Sequence, residues 1–358
     1  MSNTDYFSPD YTTARGRFRD AAQRAGAHLD TLMLTAQGPN GEALSIDIAR
    51  LGTQTPQRVL LHTSGLHGVE GFAGSAIQLH TLEFPPDVPP DGALLLVHVL
   101  NPYGMAWLRR ANESNVDLNR NFIVDGEGWA GAPARYRAID ALINPPGPPR
   151  HDFFYAHTVA CVLRHGFASL KQAVAEGQYE FPRGLFFGGK TLEEGPRLYL
   201  EWGRATLAGA RYIFALDCHT GLGKRCRESL LQEAGASTTA AAALSAALGH
   251  EVTDPAHASQ VAYRIRGGLG GALPYCFPDA RIDFVPQELG TYSALRVLRA
   301  LRDENRCHHH GNGRPDDPAK RRLLERLTPR SPEWRTWAVS AGVERLTAAA
   351  HFAFSRPL

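Results

Sequence analysis

The stretch HTSGLHGVEGFAGSA, His62 to Ala76, sets His67 and Glu70 three positions apart just after an apolar run. At roughly 100° per residue in a helical turn, the two side chains leave the backbone on nearly the same side, so one ion could touch both. Zinc takes imidazole nitrogen and carboxylate oxygen, and a catalytic zinc commonly has two histidines and a glutamate. An H-x-x-E pair alone equally describes a capped helix start with a surface glutamate, so a third donor must come from elsewhere. His219, in IFALDCHTGLG, stands just past an apolar run, as His67 does past RVLLHTSG. Ligands of open α/β sheets bind beyond the carboxyl ends of the strands, which puts both histidines on one edge of one sheet. The plainer reading of His219 is a histidine satisfied by backbone partners in a glycine-rich turn.

Two further strand ends carry polar residues to that edge. RRANESNVDLNRNF, Arg109 to Phe122, brings three arginines, whose guanidinium groups suit a carboxylate. Glu288 follows RIDFVP and could take a proton from water as a general base. Taken singly, each is also a solvated charge at a loop or helix start. CHHHGNG (Cys307 to Gly313) reads as a polar helix terminus, because adjacent helical residues point about 100° apart and cannot converge on one ion. GGLGG (Gly267 to Gly271) lacks the setting of a phosphate loop and reads as a flexible cleft loop.

The elements that must position these residues follow from apolar patterning. A helix is predicted over 10–27, with strands near 30–36, 43–50, 57–63 and 93–100 and a helix before Pro85 between the last two, a β-α-β opening. Residues 125–210 read as a helical insertion. Strands return at 211–218, 228–233 and 281–288, with an alanine-rich helix over 237–248, and everything after Thr291 is helical. The expected fold is a three-layer α/β/α domain with a mixed, mostly parallel sheet. A single catalytic unit is expected, with a C-terminal helical extension over about 306–358 that carries Trp334 and Trp337.

Composition excludes other classes. A net charge of +2 spread over 358 residues, without a basic block, speaks against a nucleic-acid or membrane surface as partner. Apolar runs such as ALLLVHVL stop far short of the roughly 20 residues of a membrane span. The polar N-terminus lacks the order of a secretory signal. Five scattered cysteines with no C-x-x-C argue against disulfides and against a cysteine zinc site, so a cytoplasmic location is expected.

GLHGVEG, NPYG…RRANESNVDLNRNF, DCHTGLG and FVPQELGTYS occur in an order and spacing that resemble the zinc carboxypeptidase superfamily over roughly residues 57–300. That superfamily includes bacterial murein-peptide amidases and, more distantly, the aspartoacylase and succinylglutamate desuccinylase deacylases. The chain looks closest to a bacterial branch known only as a domain of unknown function. The resemblance implies one Zn2+ per chain held by His67, Glu70 and His219, with Asp117 orienting His67. It also implies that Asn119 and Arg120 dock a terminal carboxylate, that Arg110 (or, failing it, Arg109) stabilises the oxyanion, and that Glu288 is the base. The family's mobile tyrosine falls on Tyr263, with Tyr275 as the other candidate.

The implied activity is hydrolysis of an amide bond beside a free carboxylate in a small peptide. The alternative activities, an N-acyl amino acid deacylase or a murein-peptide-type amidase, would use the same three metal ligands with different carboxylate docking. A non-catalytic binder of peptides or acidic metabolites is the alternative outside enzymes. The short segment before DLNRNF and the helical insertion depart from the digestive enzymes, and both could reshape the cleft.

Overall fold

The computed structural model describes residues 2–124, 126, 128–233, 237–253 and 265–356. Eight strands form one sheet: β1 (His28–Gln37), β2 (Ala43–Gly52), β3 (Arg58–Ser64), β4 (Gly92–His98), β5 (Tyr212–Thr220), β6 (Glu228–Leu231), β7 (Val252–Thr253) and β8 (Arg281–Leu289). Their spatial order is β1-β2-β4-β3-β5-β8-β6-β7. The pairs β4–β3, β3–β5, β5–β8 and β6–β7 are parallel, and β1–β2, β2–β4 and β8–β6 are antiparallel.

The central strands are apolar at nearly every position because both faces are covered. Successive residues serve opposite layers: Leu60, Leu94, Leu96, Tyr212, Phe214 and Leu216 enter one core. Val59, Leu61, Leu95, Val97, Ile213 and Ala215 enter the other. Helices Tyr11–Arg24, Gly71–Glu83, Ala241–Leu248 and Pro332–Ser355 cover the first face. Helices Glu194–Thr206 and Leu269–Cys276 cover the second.

The last helix differs from the expected extension, since it is a structural layer of the sheet. It meets Gly71–Glu83, β3 and β5 through small residues, Ala338, Ala349, Ala350 and Ala353 among them, all buried. Gly342 is required at that crossing, because a Cβ there would lie 2.2 Å from the Ile77 side chain. Trp334 is fully buried and its indole N–H donates to the Gly290 carbonyl at 2.9 Å.

Between β4 and β5 the helices Ala134–Ile143, Phe154–His165 and Phe167–Glu176 precede Glu194–Thr206. Together with Ala294–His310 and Pro318–Leu327 they build a separate apolar cluster that includes Tyr136, Ile139, Leu170, Leu301 and Leu323 and reaches Val69, between the two candidate donors of the H-x-x-E pair. GGLGG is a helix start, in contrast to the expected loop: Gly268 is the N-cap of Leu269–Cys276. Among the described residues, no helix is long and apolar enough to cross a membrane. The five cysteines are free.

Candidate metal centre

His67, Glu70, His219 and Glu288 all stand at or just past the carboxyl ends of β3, β5 and β8. After Ser64 the chain turns into a 3-10 turn, Gly68–Glu70, with His67 as its N-cap. Only glycine fits at 68, since a Cβ would lie 2.2 Å from the Gly104 carbonyl carbon. The neighbouring Val69 N–H donates to the Arg109 carbonyl at 2.9 Å and ties the turn to the segment that carries Arg110. His219 and Glu288 are direct partners across β5 and β8, so both project from the same side of the sheet.

The three donors converge. The two Nδ1 atoms of His67 and His219 are 3.2 Å apart. Glu70 Oε1 lies 3.2 Å from His67 Nδ1 and its Oε2 lies 3.5 Å from His219 Nδ1. A tetrahedral zinc with bonds of about 2.0–2.2 Å sets its donors about 3.3 Å apart, so the residues fit such an ion. Among the described residues these three form the His/Cys/Asp/Glu group whose ligand atoms all lie within 4.8 Å of one another.

Each imidazole is held from behind. His219 Nε2 meets Asp217 Oδ2 at 2.7 Å, and Asp217 is itself fixed by the Thr63 hydroxyl, which donates to Oδ1 at 2.6 Å. His67 Nε2 lies 3.2 Å from Asp117 Oδ1. Outer carboxylates of this kind fix the tautomer that leaves the facing nitrogen bare for a metal. Arg110 lies among these groups: Nε donates to Asp117 Oδ2 at 2.9 Å, Nη1 to Glu70 Oε1 at 3.3 Å, and Nη2 is 2.6 Å from His67 Nε2. A bare Nδ1 on His67 needs the proton on Nε2, directed to Asp117, and this would release the Arg110 Nη2 contact. Its guanidinium rests against the Phe186 ring, 5.4 Å from the centroid.

The electrostatics suit a cation. Burial alone would raise the Glu70 carboxyl, yet His67, His219 and Arg110 hold it far below the usual carboxylate range. Asp117 is likewise held well down, against its burial, by Arg110, His67 and Arg120. Burial works against a charged His219, but Asp217 and Glu70 drive its pKa well above that of a free histidine. Ligand nitrogens must be deprotonated to hold a metal, so metal uptake here is expected to release protons. Glu288 behaves oppositely. Burial, helped by Glu70 and Asp217 and opposed by His219 and Arg110, pushes it up to about 8, and its Oε2 has no hydrogen-bond partner.

Asn119 and Arg120 line the same cavity, which has a volume of about 1320 Å3. They belong to the 3-10 turn Leu118–Arg120, capped by Asp117, which accepts from the Asn119 N–H at 3.1 Å. Arg120 Nη1 donates to the Asn119 carbonyl at 2.7 Å, whereas its buried Nε has no partner. Arg109 is not available as an alternative to Arg110. It is wholly buried, with Nε on Glu304 Oε1 at 2.9 Å and Nη2 on Asn115 Oδ1 at 2.7 Å, and Lys320 Nζ meets the same glutamate at 2.8 Å. Tyr263 lies outside the described residues. Tyr275 is exposed on the helix Leu269–Cys276 and does not line the cavity. The triple histidine is the last turn of Ala294–His310, where burial pushes His308 down to about 3 and His309 to about 4.

Two residues of the site escaped the sequence reading. Asp217 precedes His219 by two positions on a strand, hence on the same face, and that D-x-H spacing is the signal that could have found it. Glu233, two residues past β6, lines the cavity beside Arg120; loss of solvent pushes its pKa up to about 7 against the pull of Arg120. Nothing in its local sequence sets it apart. Asp217→Asn is expected to weaken zinc binding about 10–100-fold with the fold retained, measured by competition with a chromogenic chelator.

The likenesses to known proteins agree with this frame. A carboxypeptidase A from Helicoverpa armigera superposes with a TM-score of 0.50 at 15% identity, covering 97% of this chain and 75% of that one. Bovine thrombin-activatable fibrinolysis inhibitor, in complex with tick carboxypeptidase inhibitor, gives 0.53 at 9% identity, covering 98% of this chain and 99% of that one. The fold is therefore the α/β fold of these two structures, with a candidate His-Glu-His centre at its strand ends. The chain itself belongs to the family described as "Protein of unknown function (DUF2817)", which matches residues 7–341. No curated protein matches it in sequence.

Proposed function

We propose that the protein is a zinc-dependent hydrolase of an amide bond adjacent to a free carboxylate. The observation that carries this reading is the convergence of two imidazole nitrogens and one carboxylate, at zinc spacing, in a cavity that also presents Glu288 and Arg110. Two imidazoles and a carboxylate make zinc the first choice of metal. An ion held by His67, Glu70 and His219 would lower the pKa of a water to about 7 and polarise the scissile carbonyl.

The chain's own groups supply the rest. Glu288 takes the proton of the attacking water and returns it to the departing amine. Arg110, which lines the cavity beside Glu70 and Asp117, donates to the developing oxyanion. Asn119 and Arg120 grip the substrate carboxylate and fix its register, and the orphaned Nε of Arg120 offers a donor for that purpose. The substrate is a small peptide or an N-acyl amino acid, and the free cysteines suit a cytoplasmic setting. Paired substrates with free and amidated C-termini test the docking step. The free acid is expected to be cleaved at least about 100-fold faster, the scale of losing a charged hydrogen-bonded contact in a buried site; equal rates would rule out carboxylate docking.

A further inference from the structure

The cavity is larger than a dipeptide needs. Its volume of about 1320 Å3 exceeds the roughly 300–1,000 Å3 that usually holds a drug-sized ligand. The surplus is a lobe walled by the insertion and the helix Ala294–His310, with Leu142, Val162, Phe167, Val174, Leu298 and Leu301 on its lining. Leu142, Val162, Val174 and Leu298 pack on the apolar cluster there yet are only partly buried, so apolar surface is left facing into a concavity. That cluster runs up to Val69, between His67 and Glu70, and includes Phe186, which supports the Arg110 guanidinium. The lobe therefore starts at the reacting centre. The opposite pole of the cavity is polar, with Asn119, Arg120 and Glu233.

We propose that the lobe binds the acyl chain of an N-acyl amino acid, making the substrate class amino acids acylated with medium or long aliphatic chains. This rests on the hydrolase reading above. With the carboxylate on Asn119 and Arg120, the amide lies at the donor triangle and the acyl carbons run past Arg110 and Phe186 into the lobe. Water adds its oxygen to the amide carbon, the C–N bond breaks, and the amine leaves with the proton carried by Glu288. The products are a fatty carboxylate and a free amino acid. Each methylene moved from water onto such walls strengthens binding roughly fourfold.

The test uses the zinc-loaded full chain with acetyl, hexanoyl and dodecanoyl derivatives of alanine, phenylalanine, lysine and glutamate. For the preferred amino acid, kcat/KM is expected to rise at least about 100-fold from acetyl to dodecanoyl. Val162→Arg and Val162→Trp, at a half-buried wall position, should collapse that ratio toward one. A flat chain-length profile in active wild-type protein would overturn the lobe assignment and leave the hydrolase reading intact. Calorimetry with dodecanoate separates the two further. Binding by wild type that is lost in both Val162 variants, without turnover of any derivative, would uphold the lobe and sink the hydrolase; neither binding nor turnover would overturn the lobe as well.

Discussion

In His219→Ala, protein purified without a metal-affinity tag is expected to hold almost no zinc, against one ion per chain in the wild type. The two donors left, His67 and Glu70, are three residues apart on one 3-10 turn and approach the ion from one side only. His219 alone brings a donor from β5. The substitution also leaves Asp217 buried without the imidazole it holds at 2.7 Å, and an uncompensated buried charge typically costs about 3–5 kcal/mol. Thermal stability should separate the two effects. Zinc at about 1,000 times its dissociation constant adds about 4 kcal/mol to the wild type by mass action and nothing to a variant that cannot bind it. Elemental analysis beside circular dichroism reads both, and a folded variant that retained stoichiometric zinc would remove His219 from the site.

Glu288→Gln should leave zinc bound and lower turnover by at least about 100-fold, the lower end of general-base effects. The side chain keeps its shape, and Glu288 is not one of the three converging donors. The pH profile gives a second readout. A base works when deprotonated, so wild-type kcat/KM falls as pH drops through the Glu288 pKa. Burial lifts that pKa to about 8 in the metal-free site, and a nearby cation would draw it down. The acidic limb should vanish in Glu288→Gln. A variant with wild-type turnover and an unchanged limb would assign the proton to another group.

The strands were legible because their chemistry is local: runs such as RVLLHTSG and IFALDCHTGLG are apolar and run into glycine, with His67 just after the first and His219 near the end of the second. The donors His67, Glu70 and His219 could be singled out from those strand ends, and the structure brings them together. What stayed hidden depends on partners far away in sequence. Arg109 and Arg110 are adjacent and identical in type, and the carboxylate that takes the Arg109 charge into the interior, Glu304, lies 195 residues away in sequence. Pro332–Ser355 read as an extension because its contact face is alanine and glycine, which carry little apolar signal yet allow close approach to Gly71–Glu83. GGLGG suggested a loop, although Gly268 caps a helix and Gly270 fits between Phe284 and the Glu233 carboxylate in its first turn. β7 is too short, at two residues, to leave a pattern.

The pairing of His219 with Glu288 across β5 and β8 has a consequence for how the distance between these two side chains is kept. It is measured by one rung of the ladder and not by the 60-odd residues of chain between them. β6, within that stretch, pairs with β8 on its other side and places Ser229 opposite Glu288, so Glu288 is held from both flanks. A slip of one residue in β8 would instead turn Glu288 to the opposite layer and bring Gln287 or Leu289 to its place. The spacing of these two side chains is thereby assigned to strand register.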